Sequence, residues 1–213
     1  VLQNDIMKMA TNRWKNKNEW TDKAWTHEAM HKIMTTHLGL TSTINANVTE
    51  VLPGQTWWSS NQEDKPFGAT TTHLETYLAS GFHWTHLTSA NKTSKILQAF
   101  ANSTSEKPRR IVLHTYDHPE IRASLNWAIK QTHIRGTVLM EISREALQLW
   151  PQREPWSHRI PQPMKCGKTL IILVETKRAP PFKQNLIENQ MVATFIKRTH
   201  LITLPIPWKD SIR

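Results

Sequence analysis

The stretch Thr169-Leu170-Ile171-Ile172-Leu173-Val174 decides the fold, because it is almost entirely apolar and lacks the alternation of a half-exposed strand. Such continuous runs are typical of strands that are covered on both faces. The polar residues Glu175-Thr176-Lys177 follow directly. The sequence therefore predicts a buried strand with charged side chains at its end.

Segments on either side of this strand alternate between strand and helix patterns. Strands are predicted for 110–116, 136–142 and 200–206, and helices for 119–131, 144–150 and 184–197. Strands separated by helices predict an α/β fold, with a mixed sheet and flanking helices in the second half of the chain.

The first half of the chain begins with an amphipathic pattern over 21–38. Trp25, Ala29 and Ile33 recur at helical spacing, and Gly39 supplies a stop signal. This pattern predicts a helix.

The rest of the first half is rich in turn-forming residues. Residues 40–68 indicate loop with at most a short strand, and 71–78 and 94–100 indicate short helices. The polar, proline-containing stretch 102–110 is the best candidate for an internal boundary. We therefore divide the chain into a helical and loop-rich cap region, residues 1–105, and an α/β core region, residues 106–213.

Composition points to a polyanionic partner. Lys and Arg total 27 against 17 for Asp and Glu, which gives a formal net charge of +10 and a sequence pI of about 9.9. Ten Trp and eleven His accompany this charge and offer flat faces for base stacking. The composition predicts a protein that binds nucleic acid, RNA or DNA.

Several other classes of protein are not expected from this composition. The single cysteine, Cys166, excludes an internal disulfide framework and a cysteine-based zinc ribbon, and favours a reducing compartment. The first residues lack the pattern of a signal peptide, and the apolar runs are too short to span a membrane. We expect an intracellular protein that is not secreted and has no membrane partner. With six glycines and no glycine-rich phosphate loop, a nucleotide cofactor is not expected.

Glu175 and Lys177 stand two residues apart, so on a strand they are predicted to face the same side. This arrangement resembles the PD-(D/E)XK nuclease superfamily, in which an acidic residue and a lysine at this spacing end a core strand and precede a helix. The resemblance covers residues 136–206. It implies that Glu175 helps to hold Mg²⁺ and that Lys177 activates water or stabilises the developing charge.

The sequence departs from that superfamily at the second acidic residue. An Asp is expected one strand earlier, but none occurs between Asp117 and Asp210. Glu141 on the preceding strand and Glu154 in the following loop are the candidate substitutes, with Glu141 as the second metal ligand. The alternative for Glu175 and Lys177 is an ion pair at a strand end.

Basic residues surround this motif and suit a phosphate backbone whether or not the site cleaves it. These residues are Arg153, Arg159, Lys165, Lys168, Arg178 and Lys183.

A second motif lies in the first predicted helix. The segment His27-Glu28-Ala29-Met30-His31 matches H-E-x-x-H, in which both histidines lie on one helix face and bind Zn²⁺ while Glu28 activates a water molecule. Here the chain resembles zinc metallopeptidases. His37 stands where metzincins place a third ligand and Glu50 where gluzincins place theirs, although Met34 replaces the glycine that metzincins have there.

Two further histidine clusters, His83 to His86 and His114 to His118, could bind metal or phosphate, although such clusters more often lie on the surface.

Three functions are therefore consistent with the sequence. The leading hypothesis is a protein that binds nucleic acid. If this protein is an enzyme, the hypothesis predicts a Mg²⁺-dependent nuclease. The alternatives are a non-enzymatic nucleic-acid-packaging or ribonucleoprotein component and a zinc metallohydrolase.

Overall fold

The structure is a computed structural model that describes residues 20–22, 34–35, 39–44, 54–85, 87–131, 133–142, 148–151, 164–165, 167–179 and 206–207. The strands in these residues are β1 (Trp20–Asp22), β2 (Ser42–Ile44), β3 (Thr56–Trp58), β4 (Phe82–Thr85), β5 (Arg110–Tyr116), β6 (Ile134–Ile142), β7 (Gln148–Pro151), β8 (Met164–Lys165), β9 (Thr169–Thr176) and β10 (Ile206–Pro207). The helices are α1 (Leu74–Leu78), α2 (Ala90–Asn102) and α3 (Pro119–Lys130), with a 3₁₀ helix at Gln62–Phe67.

Seven of these strands form one mixed sheet in the order β10-β6-β9-β5-β4-β2-β3. Strands β3, β2, β4 and β5 are parallel, whereas β9 runs antiparallel to both of its neighbours, β5 and β6. Strands β1, β7 and β8 form a separate antiparallel sheet. The prediction of an α/β fold with a mixed sheet and flanking helices is confirmed.

Strand β9 occupies an interior position in the large sheet, as its apolar sequence predicts. All eight of its residues are buried. Leu173 lies opposite Val112 of β5 on one side and Thr137 of β6 on the other. Because both edges of β9 are paired, its ends are held in a fixed register relative to the strands beside it.

Helices α2 and α3 pack against each other and contribute to the main hydrophobic cluster with the sheet. Ser89 caps the start of helix α2, because its side chain accepts a hydrogen bond from the Lys92 backbone N–H at 3.4 Å. Helix α3 has Pro119 in its first turn, where a missing N–H costs least. Its Ile121 and Leu125 enter the core at helical spacing.

The large sheet crosses the boundary that we predicted between residues 105 and 106. Trp84 of β4 pairs in parallel register with Val112 of β5. The main hydrophobic cluster contains Ile44 and Trp58 as well as Val174. The division into residues 1–105 and 106–213 is therefore not a structural one in the part of the chain described. The polar stretch is simply the connection from α2 to β5, which runs over the surface as loops generally do.

Two helix predictions are wrong at residues that the structure describes as strand, although Met34 and Thr35, near the end of the helix predicted over 21–38, are helical. Thr21 and Asp22 belong to β1, and Gln148 to Trp150 belong to β7. The helix predicted over 184–197 lies outside the described residues. Among the residues described, there is also no helix with the length and apolar character needed to cross a membrane.

Candidate nucleic-acid interface

Glu175 lies in β9 between two arginines. It is 4% exposed. Arg110 donates from Nε to Oε1 of Glu175 at 3.1 Å, and Arg135 donates from Nε to Oε2 at 3.0 Å. The register explains this contact, because Glu175 pairs with Arg110 of β5 on one side and with Arg135 of β6 on the other. Each carboxylate oxygen is therefore engaged by a guanidinium group.

Glu141, the expected second metal ligand, does not lie near Glu175. It pairs with Leu170, which precedes Glu175 by five positions on β9 (170 against 175). At about 3.4 Å per residue this separates the two acids by about 17 Å. Two ligands of one Mg²⁺ have oxygens within about 4 Å of each other, because each lies about 2.1 Å from the ion. The expectation that Glu141 and Glu175 share a Mg²⁺ therefore does not hold in this structure.

Most of the other predicted site residues cannot be compared with the structure. Outside the described residues lie Glu154, Arg153, Arg159, Lys183 and the zinc motif with His27, Glu28, His31 and His37. For Lys165 the structure describes only the backbone in β8. Within the described ranges, no three His, Cys, Asp or Glu side chains are grouped so that they could hold a metal ion.

Lys177 and Arg178 form an exposed turn directly after β9. The backbone N–H of Lys177 donates to the carbonyl of His133 at 2.8 Å, and that of Ala179 donates to the carbonyl of Thr176 at 2.9 Å. The first of these hydrogen bonds ties the turn to the start of β6. The second closes the turn on itself.

Arg135 fastens the same turn from the side. Its Nη1 donates to the carbonyl of Lys177 at 3.4 Å, and its Nη2 donates to the carbonyl of Ala179 at 3.2 Å. The arginine that pairs with Glu175 therefore also fixes the backbone carrying the two exposed cations. The acid that the nuclease resemblance singles out here acts as the counter-ion of a positioning arginine.

A cavity of about 430 Å³ opens beside this turn, and we call it the basic pocket. Three of its lining side chains are cationic and one is acidic. The lining residues are Ser105, Glu106, Lys107, His133, Thr176, Lys177 and Arg178. With histidine neutral, the lining carries a net charge of +2, from three cations and one carboxylate. Lys107, Lys177 and Arg178 are all exposed, so their charges are available to a ligand.

The second wall of the pocket is the loop that connects α2 to β5. The backbone N–H of Arg109 donates to Oγ1 of Thr176 at 3.1 Å, and the N–H of Thr176 donates back to the carbonyl of Arg109 at 3.1 Å. This reciprocal pair of bonds joins the loop to the end of β9. The stretch we predicted as a domain boundary is thus a wall of the candidate site.

The side chain of Arg109 anchors that wall in the core. It is 1% exposed, and its Nη1 donates to the carbonyls of Phe100 at 2.9 Å and Leu78 at 3.4 Å. Its guanidinium carbon lies 4.8 Å from the centre of the Phe100 ring. Burial lowers the pKa of Arg109 from its ordinary value. Because two backbone carbonyls and an aromatic face surround the charge, Arg109 is a structural residue rather than a phosphate ligand.

Lys168, another predicted phosphate contact, lies at the opposite end of β9. Its Nζ is 2.8 Å from Oε1 of Glu141 and 3.8 Å from Oδ2 of Asp117. Asp117 also accepts two hydrogen bonds from Arg122, at 2.6 and 2.9 Å. These hydrogen bonds are the main cause that lowers the pKa of Asp117 below its ordinary value. The eight residues of β9 span about 26 Å, so Lys168 and Arg178 do not belong to one surface patch.

Two histidines of the predicted clusters are buried, although we predicted surface positions. His83 and His114 are 4% and 0% exposed. Nε2 of His83 donates to the carbonyl of Ser80 at 2.7 Å, so its Nδ1 accepts from the hydroxyl of Ser42. Burial is the main cause that lowers the pKa of His83. His118, in contrast, is exposed and caps α3.

Three residues of this site were missed by sequence reasoning. Lys107 lies in the stretch that resembled a linker. His133 carries no motif of its own. Arg135 reaches Glu175 only across the sheet, from 40 positions away, so local spacing contains no signal for that contact.

No protein-family model matches this sequence, and no curated protein is significantly similar to it. The function therefore has to be inferred from the geometry and charge of the basic pocket.

Proposed function

We propose that this protein binds nucleic acid and that the basic pocket holds part of the phosphate backbone. The observation that carries this proposal is the convergence of three exposed cations, Lys107, Lys177 and Arg178, on one cavity. Cationic side chains are the usual phosphate contacts of nucleic-acid-binding proteins.

The pocket combines two kinds of cation with polar neighbours. A lysine ammonium acts as a compact point charge, whereas the planar guanidinium of Arg178 can donate two parallel hydrogen bonds to one phosphate. The hydroxyls of Ser105 and Thr176 also line the cavity. The formal net charge of +10 on the whole chain adds a long-range attraction that concentrates a polyanion near this surface.

The turn that carries Lys177 and Arg178 is held before any ligand arrives. Arg135 and the carbonyl of His133 fix its backbone, as described above. Because the backbone is already ordered, binding costs mainly the side-chain freedom of the cations. A preorganised turn therefore supports a binding role.

We further propose that this site binds without cleaving. Both oxygens of Glu175 accept hydrogen bonds from arginines, which supports a positioning role for this acid rather than a metal-ligand role. This favours the packaging or ribonucleoprotein form of the hypothesis over the nuclease form. The single cysteine supports placing this activity inside the cell, in a reducing compartment.

The test is a titration of the full chain against a fluorescently labelled oligonucleotide. We expect Lys177→Ala combined with Arg178→Ala to weaken binding at least tenfold. Lys95→Ala is the control, because Lys95 is exposed on α2 and does not line the pocket. If the control weakens binding as much as the double variant, the pocket is not the binding site.

A further inference from the structure

Helix α3 exposes an aromatic side chain that its packing does not explain. Trp127 is 41% exposed, and in the part of the chain that is described it is the one large apolar residue exposed to this degree. Ile121, Leu125 and Ala128 form the buried stripe of the helix. Trp127 lies on the opposite stripe with Lys130, which is also exposed.

Trp127 and the basic pocket lie at the same end of the large sheet. Helix α3 ends at Lys130, and Trp127 precedes that end by three residues, or about 4.5 Å of helix rise. His133, three residues beyond Lys130, lines the pocket. Strand β9 finishes at this same end, and the pocket cations Lys177 and Arg178 follow it.

An exposed indole at the same end of the sheet as a cluster of cations matches a known way of binding single strands. Successive bases stack on aromatic side chains while cationic groups follow the phosphates. In a duplex the bases already stack on each other, so their faces are not available to a protein side chain. The chemistry of this end of the sheet therefore fits unpaired nucleotides better than a double helix.

We propose that the ligand of the basic pocket is single-stranded nucleic acid, with a base stacked on Trp127 and neighbouring phosphates held by the pocket cations. This inference rests on the proposed function, since it specifies which nucleic acid the same site takes. Lys130 is exposed and lies along the chain between Trp127 and the pocket residue His133, so its charge favours a strand over an isolated phosphate group.

The experiment compares wild type with two variants on matched ligands. Trp127→Leu keeps apolar bulk but removes the aromatic face, and Trp127→Phe keeps a smaller aromatic face. The ligands are a single-stranded oligonucleotide, an abasic strand with the same phosphates, and a duplex of the same sequence. Fluorescence anisotropy of the labelled ligand gives each Kd for the full chain, and DNA and RNA versions are measured side by side.

We expect Trp127→Leu to weaken binding to the single strand about tenfold, on at least one of DNA and RNA, with a smaller loss for Trp127→Phe. On the abasic strand and the duplex, the Leu variant should bind like wild type. Circular dichroism checks that both variants keep the fold.

Failure of this inference differs from failure of the proposed function. Equal losses on all three ligands, or no loss on any, would overturn the stacking role while leaving the pocket as a phosphate site. Tighter binding of polyglutamate than of the single strand would overturn it in favour of an acidic protein partner. If wild type binds none of the oligonucleotides at low salt, the proposed function itself fails.

Discussion

Arg135 donates from Nε to Oε2 of Glu175 at 3.0 Å across the β6–β9 pair. The same guanidinium holds the carbonyls of the turn that follows β9. This contact links a buried acid to an exposed basic surface, because the acid fixes the arginine and the arginine fixes the turn. The stability of the sheet and the shape of the pocket are therefore coupled through one side chain.

Glu175→Gln should destabilise the protein by about 3 kcal/mol. Removing one partner of a buried ion pair typically costs 3–5 kcal/mol, and about 3 is appropriate because Arg135 is 38% exposed and partly solvated. The shift of the denaturant midpoint measures this loss. Under the nuclease hypothesis, Glu175→Gln should instead abolish Mg²⁺-dependent cleavage with little loss of stability. That pattern would contradict the positioning role assigned to Glu175.

Arg135→Lys should weaken nucleic-acid binding severalfold although the net charge is unchanged. Lysine has no planar fork, so it cannot bind Glu175 and both turn carbonyls together. The expected loss of stability is about 1 kcal/mol, because the side chain is partly exposed. Paired measurements of Kd and denaturant midpoint check this prediction. Unchanged affinity would show that the turn does not need the arginine to present its cations.

How well the sequence predicts a strand of this fold depends on the length of the strand and on how many of its residues are apolar. Strand β9 is a continuous apolar run and β5 contains the run Ile111-Val112-Leu113, and the positions of both strands follow from these patterns. Strands β2 and β4 contain three and four residues, too few to show a period. Polar side chains also obscure these strands, since Ser42 and His83 are buried and hydrogen-bond to each other across the sheet, a contact that local sequence does not indicate.

The candidate site was predictable only in the part that is local in sequence. The spacing of Glu175 and Lys177 drew attention to the end of β9, which is one wall of the pocket. The role of Glu175 could not be predicted, since its partners Arg110 and Arg135 come from other strands. Lys107 was missed because a polar stretch interrupted by a proline has the same sequence pattern whether it is a linker or a pocket wall.

The stability of the protein should fall as the pH drops below about 6.5 because of His83. Burial lowers the pKa of His83 below its ordinary value of 6.5 in the folded state. The unfolded chain then takes up a proton at a pH where the folded chain does not, and stability falls by at most about 1.4 kcal/mol per pH unit from this group. His83→Gln should be less stable than wild type at pH 8, and the difference should shrink towards pH 5. Denaturation curves across this range check it, and a constant difference would contradict a neutral buried His83.

The salt dependence of binding tests the central claim, that the basic pocket contacts phosphates. The logarithm of the affinity for a single strand should fall linearly with the logarithm of the salt concentration, with a slope of about 0.7 for each phosphate contact. The double variant Lys177→Ala and Arg178→Ala should therefore have a slope shallower than that of wild type by about 1.4, while Lys95→Ala keeps the wild-type slope. A double variant whose slope equals that of wild type would contradict the account.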